Sequence, residues 1–183
     1  MSKFIYMDNA ATTAVRQEVV DAMVTYFTES YANPSSVYSF AQKTKNDIEE
    51  ARETIASILG AAKPNEIYFT GGGSESDNWA LKAAAEAFKS KGNHIITTKI
   101  EHHAILHTCE WLEKHGYEVT YLDVDEYGKV DPIEFEAAIK DTTILASIMF
   151  AKNEIGTVEP NKKLGAIAHS KGFIFNTTAV QAI

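Results

Sequence analysis

The sequence predicts an α/β protein in three layers, with a mostly parallel sheet covered by helices on both faces. Segments with helical periodicity alternate with short β-rich runs, and strands separated by helices of ten or more residues pair in parallel. The chain of 183 residues is 45% hydrophobic, which is enough for the buried core that such a sheet needs.

The helices are predicted from apolar side chains that recur at spacings of three and four residues. Four segments carry such a face. The residues of the first face are Val19, Val20, Met23, Tyr26 and Phe27, and those of the second are Ile48, Ala51, Ile55, Ile58 and Leu59. The third face has Ile105, Thr108, Cys109 and Leu112, and the fourth has Leu164, Ile167 and Ala168. Each segment is predicted to form an amphipathic helix.

The strands are predicted from short runs rich in β-branched and aromatic residues, at 67–70, 94–98, 118–124, 143–150 and 173–175. Ligands bind outside the carboxyl ends of the strands in parallel sheets. Polar clusters follow four of the runs, namely a glycine loop at 71–73, Glu101 to His103, Asn153-Glu154, and Asn176 to Thr178. The sequence therefore predicts a binding site at this edge.

The glycine loop, Gly71-Gly72-Gly73-Ser74, stands between the β-like run 66–69 and a helical run at 79–85. Backbone N–H groups converging on the positive end of a helix suit a phosphate. The loop lacks the Gly-Lys-Ser/Thr of a Walker motif and the Gly-x-Gly-x-x-Gly of a dinucleotide site. Taken alone, it fits a phosphate-binding loop and a flexible loop with a serine N-cap equally well.

The composition excludes several classes of partner and of protein architecture. A net charge of −8 argues against nucleic acid and anionic membranes as partners, since both attract basic patches. A single cysteine excludes a disulfide framework and fits a reducing compartment. The apolar runs are too short for a signal peptide or a membrane span. These features predict a soluble, cytoplasmic, single-domain protein.

Three other patterns suggest sites that the sequence argues against. The acidic run 123–134 resembles a calcium-binding loop, but Tyr127 occupies a ligand position and a β-like run precedes it. His103 and His107 have a zinc-chelating spacing without a recognisable third ligand. Cys109 lies on an apolar helix face, which favours a core residue over a nucleophile. No metal site is expected.

Six ordered motifs resemble those of the cysteine desulfurases, a family of class V aminotransferases with the fold type I pyridoxal-phosphate architecture. The resemblance extends from Phe4 to Ile183. The motifs are Tyr6 to Thr13, Asn33 to Ser36, Phe69 to Asn78, Glu101-His102, Asn153 to Thr157, and Ala179 to Ala182. The consistent order and spacing of all six are far more specific than any single motif.

The resemblance implies pyridoxal 5'-phosphate as the cofactor and a role for each matching residue. Gly73 and Ser74 are expected to donate backbone and hydroxyl hydrogen bonds to its phosphate. His102 is expected to stack on the pyridine ring and to take part in proton transfer. Asn153 and Gln181 are expected to donate hydrogen bonds to the phenolic oxygen of the ring.

The chain departs from the family pattern at four positions around this site. Thr178 stands where the family carries the Asp that keeps the pyridine nitrogen protonated. A hydroxyl alone offers a neutral hydrogen bond, roughly half as strong as a charge-assisted one. Asn176 and Tyr38 replace family His residues, and Lys152 replaces Asn. Such clustering suggests relaxed constraint or deliberate alteration at the site.

The resemblance also implies an incomplete active site. The family's Ser-x-His-Lys motif, its persulfide Cys and its substrate-binding Arg are expected beyond the 183 residues of this chain. Residues 1–14 are expected to associate with the small domain of the family, and residues 15–183 to form an incomplete cofactor-binding large domain.

The expected function is that of the N-terminal part of a cysteine desulfurase. The complete enzyme converts L-cysteine to L-alanine and passes the sulfur, as a persulfide, to an acceptor or scaffold protein for iron–sulfur cluster or thio-cofactor synthesis. A homodimer, or a complementing C-terminal part, is the expected assembly. Two alternatives stay open: a non-catalytic, partner-binding paralogue, and another class V activity such as selenocysteine lyase.

Overall fold

The computed structural model describes residues 4–180 and residue 182. The chain divides into two compact units, which meet in sequence between Phe69 and Thr70. In the described part of the chain, no helix is both long enough and apolar enough to cross a membrane. The predicted boundary between residues 14 and 15 stays a prediction.

The first unit contains two helices and a short 3-10 turn. Helix α1 spans Gln17–Thr28, helix α2 spans Ser39–Leu59, and the 3-10 turn spans Pro64–Glu66. Helix α2 ends because Gly60 adopts the left-handed conformation, with φ of 72°, which favours a residue without a Cβ atom. Both predicted helices are confirmed. No residue of α1 is buried, so its apolar face is exposed.

The second unit is built on a four-stranded sheet with the strand order β2-β1-β3-β4, in which every neighbouring pair is parallel. Its elements in chain order are α3 (Gly73–Phe88), β1 (His94–Thr98), α4 (His103–Glu113), β2 (Glu118–Leu122), α5 (Pro132–Ala137), β3 (Thr143–Ser147), α6 (Asn161–Lys171) and β4 (Ile174–Asn176). The predicted parallel sheet is confirmed.

Helices cover the sheet on both faces. On one face, Leu81 of α3 and Ile105 of α4 pack with Ile95 of β1. On the other, Phe135 of α5 and Leu164 of α6 form a second core with neighbouring strand residues. All five residues of β1 are buried, as expected for an interior strand of a sheet with two covered faces. The three-layer prediction is therefore confirmed.

The predicted strand at 67–70 is wrong. These residues lie outside the sheet, and Ile67 follows the 3-10 turn, its N–H donating to the Pro64 carbonyl at 3.0 Å. A strand exists only where a neighbour pairs with it, and composition cannot supply that information. The runs predicted at 118–124 and 143–150 end as strands at Leu122 and Ser147.

Asn161, at the start of α6, connects the carboxyl ends of two strands. Its buried Nδ2 donates to the Met149 carbonyl at 3.0 Å and to Thr177 Oγ1 at 2.8 Å, with a longer contact of 3.4 Å to the Ile148 carbonyl. These groups leave the sheet and lose their ladder partners, so a buried amide that satisfies them avoids a desolvation cost.

Glu101 makes the corresponding connection between β1 and β3. Its Oε1 accepts from Thr98 Oγ1 at 3.0 Å and from the Met149 N–H at 2.8 Å. Only 4% of the residue is exposed, and this burial raises the pKa of the carboxyl to about 7, although both hydrogen bonds oppose the shift. The negative charges of Glu159 and Asp77 raise it further.

We expect Asn161→Ala to destabilise the second unit by about 1–3 kcal/mol, because it leaves buried carbonyl groups without a donor. The control is Asn93→Ala, which removes an exposed amide that donates one hydrogen bond to the Gly116 carbonyl and is expected to cost less than about 1 kcal/mol. Urea unfolding of each variant measures the difference. Equal losses would contradict the bridging role of Asn161.

Glu101 also predicts a pH dependence of stability. Because its folded pKa of about 7 exceeds the ordinary value of 4.5, the unfolded chain loses this proton first as the pH rises. The free energy of unfolding should therefore fall between these two pH values, by up to about 3 kcal/mol. Urea unfolding at a series of pH values measures this slope.

Glu101→Gln should make the slope of stability against pH shallower. A slope should remain, because burial also raises the pKa values of Asp77 and Glu159. Glu126→Gln removes an exposed carboxylate and should leave the slope as in the unsubstituted chain. An unchanged slope in Glu101→Gln would refute the assignment.

Candidate functional site

The candidate site lies at the carboxyl edge of the sheet in the second unit. Because all strands run in the same direction, the segments that follow β1, β3 and β4 emerge there. These segments carry His102, Asn153 and Thr178. Gly73 and Ser74 begin α3. Gln181 falls outside the residues that the structure describes.

The glycine loop ends at a helix start that has no side-chain cap. Gly72 is the N-cap residue of α3 and has no side chain to accept from the first N–H groups, which carry the positive end of the helix dipole. Ser74 lies in the first turn with its side chain exposed. The Thr70 and Ser76 hydroxyls are hydrogen-bonded at 2.6 Å, which braces the loop across this turn.

Gly73 allows the helix start to approach the segment that follows β4. A Cβ atom at this position would lie 2.8 Å from Cγ2 of Val180, closer than two carbon atoms can pack. A larger residue at position 73 would therefore force the Val180 side chain to move, whereas glycine allows this approach as it stands. The sequence analysis assigned this glycine to a phosphate-binding loop, and the structure shows that it also leaves room for the Val180 side chain.

Asp77 and Thr178 join the same two segments through a hydrogen bond. Thr178 Oγ1 donates to Asp77 Oδ1 at 2.8 Å, and Asp77 is only 7% exposed. Burial raises the pKa of the Asp77 carboxyl, while the Thr178 hydroxyl and His102 lower it. Sequence reasoning missed this role of Asp77. Its position one helical turn after Gly73 was the available signal, since residues four apart share a helix face.

His102 lies directly before α4 and serves as its N-cap. Its Nδ1 accepts from the Ala104 N–H at 3.1 Å, so in the neutral ring the proton is on Nε2. The ring is exposed, and its neighbour in sequence, Glu101, is buried in the hydrogen bonds described above. The structure therefore holds the imidazole by a backbone donor and leaves its faces accessible.

Asn153 lies on an exposed turn after β3. The turn is closed by hydrogen bonds from the Gly156 N–H to the Lys152 carbonyl at 2.7 Å and from the Lys152 N–H to the Thr157 carbonyl at 2.8 Å. Lys152 is paired with Glu154 at 3.1 Å. Asn176, another departure from the family pattern, donates to Ser147 Oγ at 2.9 Å and so connects β4 to β3.

Two of the three patterns set aside in the sequence have structural roles in the described part of the chain. Asp125 Oδ1 accepts from the N–H groups of Tyr127 and Lys129 at 2.9 and 2.8 Å, which forms a turn. Cys109 is fully buried, and burial raises the pKa of its thiol to about 12, so the predicted core position is confirmed. Within residues 4–180 and 182, no three His, Cys, Asp or Glu side chains are arranged to hold a metal ion.

The arrangement suits an anionic ligand with a nitrogen-containing ring. The uncapped start of α3 and the Ser74 hydroxyl offer donors to an anion. The pair of Asp77 and Thr178 offers acceptor capacity, and His102 offers an aromatic face. The start of α3 approaches the segment after β4 at Gly73, Asp77 of the same helix is bonded to Thr178, and Asp77 interacts electrostatically with His102, so these groups lie in one region. They fit pyridoxal 5'-phosphate, which has a phosphate and a basic ring nitrogen.

Comparison with known proteins places this arrangement in a family. The model of the aminotransferase class V family matches residues 5–183. The cysteine desulfurase IscS of Methanosarcina thermophila is 59% identical over 182 residues, which cover all of this chain and 45% of that protein. The chain thus spans about half the length of the curated relatives it matches.

Solved structures agree with this match. A NifS-like protein superposes with a TM-score of 0.94 at 40% identity, over 98% of this chain and 50% of that one. A structure of SspA in complex with cysteine gives a TM-score of 0.89 at 41% identity, over 94% and 49% of the two chains. The chain therefore belongs to the aminotransferase class V family, within which it corresponds to an N-terminal part of the cysteine desulfurases.

Proposed function

We propose that this chain forms the cofactor-binding part of a cysteine desulfurase that uses pyridoxal 5'-phosphate. The observation that carries the proposal is the close approach of the uncapped helix start at Gly73 to the segment after β4 at Val180. This approach gathers donors for an anion beside acceptors for a ring nitrogen.

Gly73 and Ser74 are the residues that would hold the phosphate. The N–H groups at the start of α3 point along the helix dipole, and the Ser74 hydroxyl adds one donor in the same turn. Pyridoxal 5'-phosphate, when bound, supplies a ring that withdraws electrons and so stabilises negative charge on the substrate carbon beside the amino group. The protein's part is to bind and orient that ring.

His102, Asn153, Thr178 and Gln181 would surround the ring. The His102 imidazole, held through Nδ1, presents its face for stacking and Nε2 for proton transfer. Asn153 and Gln181 would donate hydrogen bonds to the phenolic oxygen. In the domain arrangement that we propose, residues 1–14 associate with the small domain and residues 15–183 form the large, cofactor-binding domain.

The substrate that we propose for the complete enzyme is L-cysteine, with L-alanine as the product and sulfur leaving as a persulfide. A structure of a relative, SspA, is that of a complex with cysteine, which supports this choice. We further propose a homodimer in the cytoplasm that passes sulfur to an acceptor or scaffold protein.

A second candidate function is a non-catalytic, partner-binding role. The exposed apolar side chains of α1 favour it, since Val19 is 47% and Phe27 is 73% exposed, and such patches mark contact surfaces. Thr178 in place of the family Asp favours it too. Selenocysteine lyase activity is a further alternative within the same family.

The decisive experiment measures alanine release from L-cysteine. We expect none from the 183-residue chain above a control with free pyridoxal 5'-phosphate, because the family's Lys and Cys are absent from it. Co-expression with the remaining C-terminal part of the Methanosarcina thermophila relative should restore release.

Three outcomes separate the candidates. Alanine released by the chain alone would contradict the expected division of the active site. A stable but inactive complex would favour the partner-binding role. Preference for L-selenocysteine in the active complex would favour the lyase.

Ser74→Ala should weaken binding of pyridoxine 5'-phosphate about tenfold or more, because a hydrogen bond to a charged group is worth about 1.5–3 kcal/mol. This probe has no aldehyde, so it cannot react with lysines. Ser90→Ala, an exposed position just beyond the other end of α3, is the control and should bind like the unsubstituted chain. Isothermal titration calorimetry measures the affinities, and equal affinity in Ser74→Ala would remove Ser74 from the site.

A further inference from the structure

Asp77 is a buried carboxylate for which the matching motifs assign no role. It is only 7% exposed, although burying a carboxylate is costly unless it is paired or hydrogen-bonded. Its partner in the structure is the hydroxyl of Thr178, 101 residues away in sequence. The contact therefore depends on the tertiary fold, at the position where the chain departs from the family pattern.

The direction of this hydrogen bond restricts what Thr178 can do. A hydroxyl has one hydrogen and two lone pairs. Because Thr178 Oγ1 donates its hydrogen to Asp77 Oδ1 at 2.8 Å, the oxygen can meet a further group only as an acceptor. Thr178 is half-buried, so its hydroxyl remains within reach of a ligand at the sheet edge.

The position of Thr178 is well defined. Its carbonyl accepts from the Phe150 N–H at 2.9 Å, which ties the chain after β4 to the chain after β3. On the other side, Gly73 lets the start of α3 approach Val180. Thr178 is thus held between the anion-binding helix start and the turn that carries Asn153.

The charges around the pair favour a cationic donor. Asp77 interacts electrostatically with His102 and with Glu101. One oxygen of Glu101, Oε2, is buried without a hydrogen-bond partner among the described residues. The carboxylate of Asp77, which accepts from the Thr178 hydroxyl, therefore gives this part of the site a negative charge, and a negative charge suits a protonated nitrogen better than a neutral one.

Resting on the proposed function, we propose that Thr178 and Asp77 act as one unit that accepts the protonated ring nitrogen of the cofactor. Thr178 Oγ1 accepts from the ring N–H, and the carboxylate of Asp77 accepts from the Thr178 hydroxyl. Asp77 is a positioning residue, since it acts through Thr178 without touching the ring. The pair supplies, through one intervening hydroxyl, the negative charge that the family draws from a single carboxylate.

This arrangement changes the meaning of the substitution at Thr178. A threonine alone would form a neutral hydrogen bond, whereas a hydroxyl bonded to a carboxylate is polarised toward stronger acceptance. The departure from the family pattern is then a relocation of the charge from position 178 to position 77 rather than its loss.

The test compares two probes that differ only at the ring nitrogen. Pyridoxine 5'-phosphate has the nitrogen, and its carbon analogue has C–H in that place. We expect the unsubstituted chain to bind pyridoxine 5'-phosphate about tenfold more tightly than the analogue, as befits one charge-assisted hydrogen bond. Isothermal titration calorimetry gives both affinities.

Asp77→Asn should reduce this preference to near unity while the affinity for the analogue stays the same. Asp141→Asn removes one exposed carboxylate and, as the matched control, should keep the preference. Thr178→Val, which preserves the side-chain shape, should also abolish the preference, whereas Thr178→Asp, which places a carboxylate directly at position 178, should keep it. Circular dichroism establishes that each variant is folded.

A second readout reports the proton directly. With a ¹⁵N-labelled ring, the nitrogen chemical shift of bound pyridoxine 5'-phosphate should be that of the protonated form, at a pH where the free probe is deprotonated. In Asp77→Asn and in Thr178→Val the shift should move to the deprotonated value. A purely structural role of Asp77 would not move this signal.

The outcomes distinguish this inference from the proposed function. If the unsubstituted chain binds neither probe, the cofactor site itself is refuted, and the inference with it. If it binds both probes equally, or if Asp77→Asn and Thr178→Val keep the preference and the protonated shift, the inference is overturned while the cofactor site stands.

Discussion

Parallel pairing of β1 with β2 and β3, and of β3 with β4, is the constraint on which the rest of the second unit depends. Strands that run in one direction must all end at one edge, and helices on both faces leave that edge as the place where polar groups can meet a ligand. The candidate site is therefore a consequence of the sheet, since its residues follow strands or begin helices there.

At the same edge, backbone groups no longer have hydrogen-bond partners on a neighbouring strand. Buried polar side chains take the place of those partners. Asn161 donates to the Met149 carbonyl after β3, and Glu101 accepts from the Met149 N–H. The hydrogen bond between Thr178 and Asp77 links the chain after β4 to α3. Each side chain satisfies a group that would otherwise be costly to bury. Fold stability and site geometry thus rest on the same hydrogen bonds, and a change at one of them acts on both.

Asp77 reconciles membership of the class V aminotransferases with the threonine at position 178. By the resemblance described above, Thr178 stands at a position where a carboxylate is expected. The folded chain contains a carboxylate one hydroxyl away, carried on a different element. Charge at a site belongs to the assembled groups, so a substitution can relocate it without removing it. In the first unit, by contrast, the notable feature is the exposed apolar face of α1, which is typical of a contact surface.

The sequence by itself determined the alternation of helices and strands, the three-layer class, the position of Ser74 at a helix start and the family, because periodicity and ordered motifs are local properties. It failed for the run 67–70, since a strand needs a pairing partner that local composition does not contain. Only the tertiary structure decided that Gly73 packs against Val180 and that Asp77 meets Thr178. Those contacts join residues about a hundred positions apart, and the path of the chain through the parallel sheet brings them together.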